Sequence, residues 1–324
     1  MSNLKVASSA KVIGQALFGK GVYIAQGAVV RSENNSVQLG NHSWVLENST
    51  IIGTQDNPVI VGSKTVFGHK CVAIGAQIGD LCEIGNGTIF MPGCKVGDMC
   101  ITGESTIIPS DMIIPDESVV VGRPARIIRK LTEQDKERIK TLRGNNITIM
   151  PFEEGILDIK RQDGDKMSKL HEVNGKFPNI SSSTKVHHSA EINGDVIIGD
   201  DCVIGPGVKI IGDTHGPVRI GNNVQILENC VLHLLPDNEL IIEDNVIIGP
   251  SSIIHGTVIG HGTIIESGVN ISDYSKIGIN CMVKAGSLVK QRSEFPDNSI
   301  IEGFPAKKLG TLETKQTTPP WVYK

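Results

Sequence analysis

Aromatic residues are scarce in this chain and make up only 4% of its 324 residues. Glycine is abundant by contrast, with 36 residues, and isoleucine and valine are frequent. This balance suits many short strands joined by tight turns. It argues against a bundle of long helices and against a Rossmann-type core.

Charge of one sign is not in large excess, since the net charge is -4 and the isoelectric point is about 6.1. This gives no electrostatic reason to expect a nucleic acid or an anionic membrane surface as a partner. No apolar run approaches the roughly 18 residues of a transmembrane helix, and the first residues lack the apolar stretch of a signal peptide. We therefore expect a soluble, cytoplasmic protein without a nucleic-acid or membrane partner.

Cysteine pairs at metal-binding spacing are also missing. The seven cysteines are odd in number and form no Cys-x-x-Cys motif. This argues against a disulfide framework and against a zinc site built from thiolates. We expect seven reduced thiols.

What the sequence has instead is an aliphatic or similar apolar residue at every sixth position, often followed by glycine or another turn-forming residue. A six-residue unit of this kind forms one flat side of a triangular coil, so three units complete one turn of a parallel β-helix. The pattern resembles the left-handed β-helix hexapeptide-repeat proteins. The series runs through Val6, Val12, Phe18, Ile24 and Val30, then Leu39, Val45 and Ile51, then Val61, Phe67 and Ala73, and, after one five-residue step, Ile78, Ile84, Phe90 and Val96.

The same rhythm returns in the second half of the chain. Val30 aligns with Ile210, and the ending Gly-Arg-Pro-Ala-Arg at 122–126 aligns with Gly-Phe-Pro-Ala-Lys at 303–307. Even the irregular five-residue step coincides. We therefore predict an all-β fold of two left-handed parallel β-helix prisms in tandem, produced by duplication of one whole domain.

The predicted organisation has four parts, and a short amphipathic helix ends the first of them. That helix lies within Leu131–Arg143, with Thr132 as its N-cap and Gly144 as its stop. The parts are a first left-handed β-helix domain with its helix over 1–144, a connector over 145–182, a second left-handed β-helix domain over 183–312 and an extended tail over 313–324.

Nine histidines are present, and their phase in the repeat indicates which of them can meet. His233 follows the inward Leu232, and His255 follows the inward Ile254, so both side chains should point outward. Three sides make one coil, which places His255 directly above His233. Two imidazoles on strands about 4.8 Å apart can converge on one metal ion at roughly 2.0–2.1 Å.

These histidines stand in motifs that resemble those of the γ-class carbonic anhydrases, a family of trimeric left-handed β-helices with zinc or another divalent ion at subunit interfaces. The family's Val-Leu-His strand end matches 231–233, and its Gly-His-x-x-x-x-His-Gly motif is present in pieces at 68–75 and 249–256. The resemblance implies a homo-oligomer, a trimer or a multiple of trimeric contacts. It also implies a divalent metal, with zinc favoured over iron or cobalt. The metal ligands that it implies are His69, His233 and His255.

Each copy lacks part of this ligand set. In the first copy Ile52 and Ile74 replace the two stacked histidines, and only His69 remains. In the second copy Pro250 stands at the position equivalent to His69. Two hypotheses stay open: both sites are relics of the duplication, or one metal site is shared where a first-copy prism meets a second-copy prism.

Polar residues around the family's metal are changed as well. The family places glutamine and aspartate shortly before the Val-Leu-His histidine, and Leu227 and Glu228 stand there in this chain. Its Arg-Gly-Asp interface element becomes Arg-Ser-Glu at 31–33 in the first copy. The resemblance implies that Arg31 pairs across an interface with Glu47 or Glu228.

Three functions are compatible with these patterns. A neutral histidine triad leaves an open position on a metal ion, where bound water becomes hydroxide near neutral pH, and the resemblance implies hydration of carbon dioxide as the reaction on a small-molecule substrate. A CoA-dependent acyltransferase with His261 or His255 as general base is the second alternative. A non-catalytic assembly module with relic sites is the third.

Overall fold

Strands of two to six residues, most with one aliphatic side chain turned inward, build both halves of the chain in the computed structural model. The chain divides into two units, Met1–Gln162 and Asp163–Lys324. In each unit it visits three parallel sheets in turn, so each unit is a three-faced prism. The predicted tandem of left-handed β-helix prisms is confirmed. The structure describes residues 4–155, 169–213, 215–314 and 316–324.

The first prism has one face whose last strand turns back antiparallel and two faces that are parallel throughout. The face with the antiparallel strand contains Lys5–Val6, Tyr23–Ile24, Trp44–Val45, Val66–Phe67, Glu83–Ile84, Ile101–Thr102, Ser118–Gly122 and Ala125–Lys130. The second face contains Lys11–Ile13, Val29–Ser32, Thr50–Gly53, Val72–Ile74, Ile89–Phe90 and Ile107–Ile108. The third face contains Leu17–Phe18, Val37–Leu39, Val59–Val61, Gln77–Ile78, Lys95–Val96 and Ile113–Ile114.

The second prism repeats this plan, again with one antiparallel strand at the end of one face. The face that carries the predicted stacked histidines contains Lys169–His171, Glu191–Gly194, Lys209–Gly212, Val231–Leu232, Ile253–Ile254, Asn270–Ile271 and Leu288–Val289. The next face contains Asn179–Ile180, Val196–Ile198, Val218–Ile220, Leu240–Ile242, Thr257–Ile259, Ser275–Ile277 and Glu294–Phe295. The face that ends in the antiparallel strand contains Lys185–Val186, Val203–Ile204, Gln225–Ile226, Ile247–Ile248, Ile264–Ile265, Met282–Val283, Ser299–Gly303 and Ala306–Thr311.

The core of each prism is a column of inward aliphatic side chains stacked from coil to coil. Ile51 is paired in register with Ala73 in the first prism, and Leu232 with Ile254 in the second. All four side chains are fully buried. Because neighbouring strands lie about 4.8 Å apart, any outward position also recurs above itself on the next coil. This register is what aligns polar side chains into rows on the prism faces.

The one α-helix among the described residues covers Glu133–Leu142. Thr132 is its N-cap, as predicted: the Thr132 hydroxyl accepts a hydrogen bond from the Asp135 amide, and the Asp135 carboxylate accepts one from the Thr132 amide. This reciprocal pair satisfies amides that the first helical turn leaves without partners. Ile139 is buried and joins a small apolar cluster with Leu81 and Val119, which fixes the helix on the first prism.

The segment predicted as a connector contributes to the second prism. Lys169–His171 and Asn179–Ile180 pair with later strands of that prism, so its first coil begins before residue 183. At the other end, Trp321 and Val322 are buried in the second unit. No helix among the described ranges is long and apolar enough to cross a membrane.

Candidate metal centre

His233 and His255 occupy equivalent positions on successive coils of the second prism. His233 follows the strand Val231–Leu232, and His255 follows Ile253–Ile254, which pairs with it in register. The His233 amide donates to the Ile254 carbonyl at 3.0 Å. The two imidazole rings are 6.1 Å apart between centroids and nearly perpendicular, at 70°. The predicted stacking of these two histidines is therefore present.

Two further polar side chains, Asp213 and His215, reach the same place from the preceding coil. They lie just after the strand Lys209–Gly212, which pairs with Val231–Leu232. The His215 Nδ1 atom is 3.3 Å from His233 Nε2, and their ring centroids are 5.3 Å apart. Asp213 lies beside both rings, with Oδ1 3.2 Å from His215 Nδ1 and Oδ2 3.4 Å from His233 Nε2. We call Asp213, His215 and His233 the Asp213 cluster.

The spacing within the Asp213 cluster fits a single metal ion. Its ligand atoms all lie within 4.8 Å of one another. Two atoms that bind one tetrahedral zinc at roughly 2.0–2.1 Å are about 3.4 Å apart. The two ring nitrogens are 3.3 Å apart, and each lies 3.2 or 3.4 Å from a different oxygen of Asp213. Imidazole nitrogens and a carboxylate oxygen are also the donor types that suit zinc and similar divalent transition metals. The cluster thus has both the distances and the chemistry of a metal site.

The carboxyl of Asp213 favours its charged form. Burial is the largest single influence and acts to raise its pKa. The hydrogen bonds from the His215 amide and the His233 ring, with the nearby imidazoles, outweigh it, so the pKa of Asp213 lies below its usual value. The His215 amide donates to Asp213 Oδ1 at 2.9 Å. A charged carboxylate is therefore held beside the two imidazoles.

Asp273 supports His255 from the following coil. Its Oδ2 atom lies 3.2 Å from His255 Nδ1, and its side chain is only 7% exposed. Its other oxygen, Oδ1, accepts hydrogen bonds from the amides of Leu235 and Gly256. A carboxylate at Nδ1 favours the tautomer that keeps the proton there and leaves Nε2 free to bind a metal.

The loops beside the cluster pack closely against each other. Asn238, in the loop that follows His233, donates from Nδ2 to the Gly256 carbonyl at 2.9 Å. A Cβ atom at Gly216 would lie 2.1 Å from the Asn238 carbonyl oxygen. Only glycine therefore lets the His215 loop approach the Asn238 backbone so closely.

His69 has a different environment in the first prism. Its Nδ1 atom lies 2.8 Å from Glu47 Oε2, and its side chain is 54% exposed. Ile52 and Ile74, the residues at the stacked positions of this copy, are fully buried. Among the described residues, His69 is thus a surface histidine beside one acidic side chain, and its role as a metal ligand stays a prediction.

The other predicted interface residues are both largely buried. Arg31 lies in the strand Val29–Ser32 and is 9% exposed. Glu228 is completely buried, and its Oε1 atom accepts a 2.6 Å hydrogen bond from the hydroxyl of Tyr323. The chain tail therefore covers Glu228, while the pairing of Arg31 with Glu47 or Glu228 across an interface stays a prediction.

His261, the predicted base of an acyltransferase, lies elsewhere on the second prism. It lines a cavity of about 470 Å³ together with amide side chains, among them Asn280 and Gln316. Its backbone amide donates to Glu243 at 2.7 Å. This cavity lies beside the chain tail and does not include the Asp213 cluster.

The sequence reasoning missed Asp213 and His215 as candidate ligands. Both belong to a loop between Gly212 and Val218 that interrupts the six-residue period, so the phase of the repeat does not place them. One feature of the sequence could have indicated them. An acid and a histidine stand two residues apart just after the strand that lies one coil before His233.

The repeat, the three-faced prisms and the outward histidines together define a hexapeptide-repeat β-helix protein. Two family models match it: the bacterial transferase hexapeptide model over residues 177–212, and the succinyl-transferase hexapeptide repeat over 58–90 and 239–272. The chain belongs to the hexapeptide-repeat superfamily that includes the γ-class carbonic anhydrases.

Its relatives include carbonic anhydrases. A probable carbonic anhydrase of Methanocaldococcus jannaschii is 31% identical over 158 residues, which cover 49% of this chain and 98% of that protein. Mitochondrial γ carbonic anhydrase 1 of Arabidopsis thaliana is 32% identical over 136 residues, or 40% of this chain and 50% of the relative. The match thus spans only half the length of the Arabidopsis protein.

One solved structure is also similar to part of this chain. The hexapeptide transferase family protein from Anaplasma phagocytophilum is 27% identical, with a TM-score of 0.43, over 45% of this chain and 85% of that structure.

Proposed function

We propose that the second prism binds a divalent metal ion, with zinc favoured, on the face that carries His233 and His255, and that it hydrates carbon dioxide there. The observation that carries this proposal is the convergence of Asp213, His215 and His233 within ligand-sharing distance. Similarity to carbonic anhydrases supports the choice of reaction. A bound metal ion would supply Lewis-acid activation of water near neutral pH.

The chain's own residues have separate tasks in this proposal. His233, His215 and Asp213 bind the ion, while the Asp273 carboxylate lies 3.2 Å from His255 Nδ1. Leu227 is fully buried and apolar at the position where the related family carries a glutamine. Because no amide at that position orients the substrate, we expect slow hydration compared with an efficient carbonic anhydrase.

The direct test is stopped-flow hydration of carbon dioxide by the zinc-loaded full chain. We expect a rate above that of buffer, lost on His233→Ala and retained in the surface control His171→Ala, whose side chain is 53% exposed. A zinc-loaded protein that adds nothing to the buffer rate would exclude this activity. Metal binding without hydration would instead favour the non-catalytic assembly module.

Assembly and the role of His69 belong to the same proposal. We expect a homo-oligomer built through prism contacts, which native mass spectrometry measures. If a first-copy prism supplies a ligand, His69→Ala will lower the metal content of the oligomer. If the metal content is unchanged, the three-histidine set of His69, His233 and His255 is wrong.

A second candidate function is CoA-dependent acyl transfer. The cavity beside His261 favours it, because a general base at the edge of a groove is what such a reaction needs. Isothermal calorimetry with CoA tests this alternative. We expect binding to weaken on His261→Ala if the cavity is the site, and absence of CoA binding would exclude it.

A further inference from the structure

We propose that His215 and Asp213 complete the metal site of the second prism from within the same chain, in place of the histidine that Pro250 does not supply. The inference rests on the proposed function, because it names the ligands of that site. It makes His69 unnecessary for metal binding.

The shape of the Asp213 cluster supports this ligand set. The 3.3 Å between His215 Nδ1 and His233 Nε2 is close to the separation of two ligand atoms on one tetrahedral zinc ion, and the two Asp213 oxygens lie 3.2 Å from the first nitrogen and 3.4 Å from the second. The ring centroids of His215 and His233 are 5.3 Å apart, whereas those of His233 and His255 are 6.1 Å apart. His215 is thus better placed than His255 to share an ion with His233.

The donor set of the Asp213 cluster also supports it. Two neutral imidazoles and one carboxylate match the two-histidine, one-carboxylate pattern of catalytic zinc sites, which leaves a fourth position for water or substrate. Magnesium and calcium prefer sites built from oxygen ligands alone. The cluster therefore favours a transition metal such as zinc, iron or cobalt over magnesium or calcium.

Contacts within the protein hold Asp213 and His215 in place without an ion. The His215 amide donates to Asp213 Oδ1, so these two residues form one local turn. Gly216 allows the loop to contact the Asn238 carbonyl. The side chains of Asp213, His233 and His215 are 26%, 29% and 37% exposed, so an ion can reach them from solvent.

The first copy provides an internal comparison. Its corresponding loop, Arg-Ser-Glu-Asn-Asn-Ser at 31–36, contains an acid but no histidine. Ile52 stands where His233 stands in the second copy and is fully buried. The complete ligand group is therefore confined to the second prism.

The test is a cobalt titration of the metal-stripped full chain, followed by the visible absorption of bound Co²⁺. We compare the native protein with His215→Ala, His233→Ala and Asp213→Ala, using His69→Ala and His171→Ala as controls. Changes to partners outside the ligand shell typically weaken metal binding 10–100-fold. We therefore expect a loss of roughly hundredfold or more for His215→Ala and His233→Ala, and native affinity for both controls.

A cysteine variant separates lost ligation from lost folding. His215→Cys keeps a metal-binding side chain, so it should bind cobalt and add a thiolate charge-transfer band in the near ultraviolet. Native affinity in His215→Ala, or loss of binding in His69→Ala, would overturn the inference. Absence of cobalt binding in the native chain would overturn it too and would identify the cluster as a hydrogen-bond network only.

The outcomes also separate this inference from the proposed function. Cobalt binding that depends on His215, without hydration of carbon dioxide, would support the ligand assignment and contradict the proposed activity. Hydration that survives His215→Ala would keep the activity and remove the ligand assignment.

Discussion

His215 Nδ1 lies 3.3 Å from His233 Nε2, although the two residues are 18 positions apart in the chain. The contact exists because the strand that precedes His215 pairs in register with the strand that precedes His233, so that Ile210 lies opposite Leu232. The regular coil brings the two backbones together, and the loop after Gly212 brings the rings together. The proposed metal site therefore depends on one regular element, the coil, and on one irregular element, the loop.

Zinc should stabilise the second prism. A ligand present at 100 times its dissociation constant stabilises the folded state by about 2.7 kcal/mol, provided that it does not bind the unfolded chain. We expect zinc to raise the thermal unfolding midpoint of the native protein and EDTA to reverse the rise. His233→Ala should remove the response, and His171→Ala should retain it. Equal responses in the two variants would contradict a site at His233.

Asp273→Asn tests whether His255 is a metal ligand, because the substitution keeps the loop beside it intact. Asparagine can still accept the Leu235 and Gly256 amides through its oxygen, but it loses the charge that faces His255 Nδ1. Because the inferred ligands are Asp213, His215 and His233, we expect metal affinity to stay close to that of the native protein. A fall of about 10–100-fold, the usual effect of removing a support behind a metal-binding histidine, would mean that His255 also binds the ion. Cobalt titration measures the affinity, with Asp201→Asn on the exposed surface as the control. Unchanged affinity would show that His255 takes no part.

Asp195 should make stability depend on pH in the acid range. Its pairing with Arg219, and next with Lys176, holds the pKa of this carboxyl below its usual value. The pairing therefore makes its full contribution to the free energy of unfolding above the ordinary aspartate pKa of about 3.9. That contribution is lost as the pH falls through the lower pKa of the folded state. We expect Asp195→Asn to lower the free energy of unfolding by about 1 kcal/mol at neutral pH.

The dependence of stability on pH shows whether the charge of Asp195 causes this effect. The difference between the native protein and Asp195→Asn, measured by urea unfolding, should shrink as the pH falls below about 4. Asp201→Asn should show no such trend. A difference that stays constant down to pH 2 would mean that Asp195 acts through its shape and not through its charge.

The tail should be anchored by Tyr323. Its hydroxyl donates to the buried Glu228 at 2.6 Å, and its backbone exchanges hydrogen bonds with the side chain of Gln225. Removing a hydrogen bond to a buried carboxyl typically costs about 1–3 kcal/mol. We expect a loss of that order for Tyr323→Phe in urea unfolding. Tyr23→Phe is the matched control, because the Tyr23 hydroxyl makes only a 3.4 Å exposed contact with Gln26 and should be nearly neutral.

The regular parts of this protein could be predicted from its sequence because the repeat leaves the chain little freedom. Once Leu232 and Ile254 are assigned to the core, the next residue on each coil must point outward, and His233 and His255 must stack. The helix could also be located, because Thr132 and the residues after it carry a recognisable capping pattern.

The loop residues of the proposed metal site could not be predicted in the same way. Between Ile210 and Ile220 the chain leaves the six-residue period, so no register rule says where Asp213 or His215 lies. The position of His215 depends on the turn it makes with Asp213 and on the room that Gly216 provides. The burial of Glu228 likewise depends on a tail that carries no repeat.

The most direct measurement is anomalous diffraction from crystals of the zinc-loaded full chain, recorded on both sides of the zinc absorption edge. The account predicts one strong peak per chain, at roughly 2.0–2.1 Å from both His215 Nδ1 and His233 Nε2 and with Asp213 beside it. A zinc peak bound without His215, or the absence of any zinc peak on this face of the second prism, would contradict it.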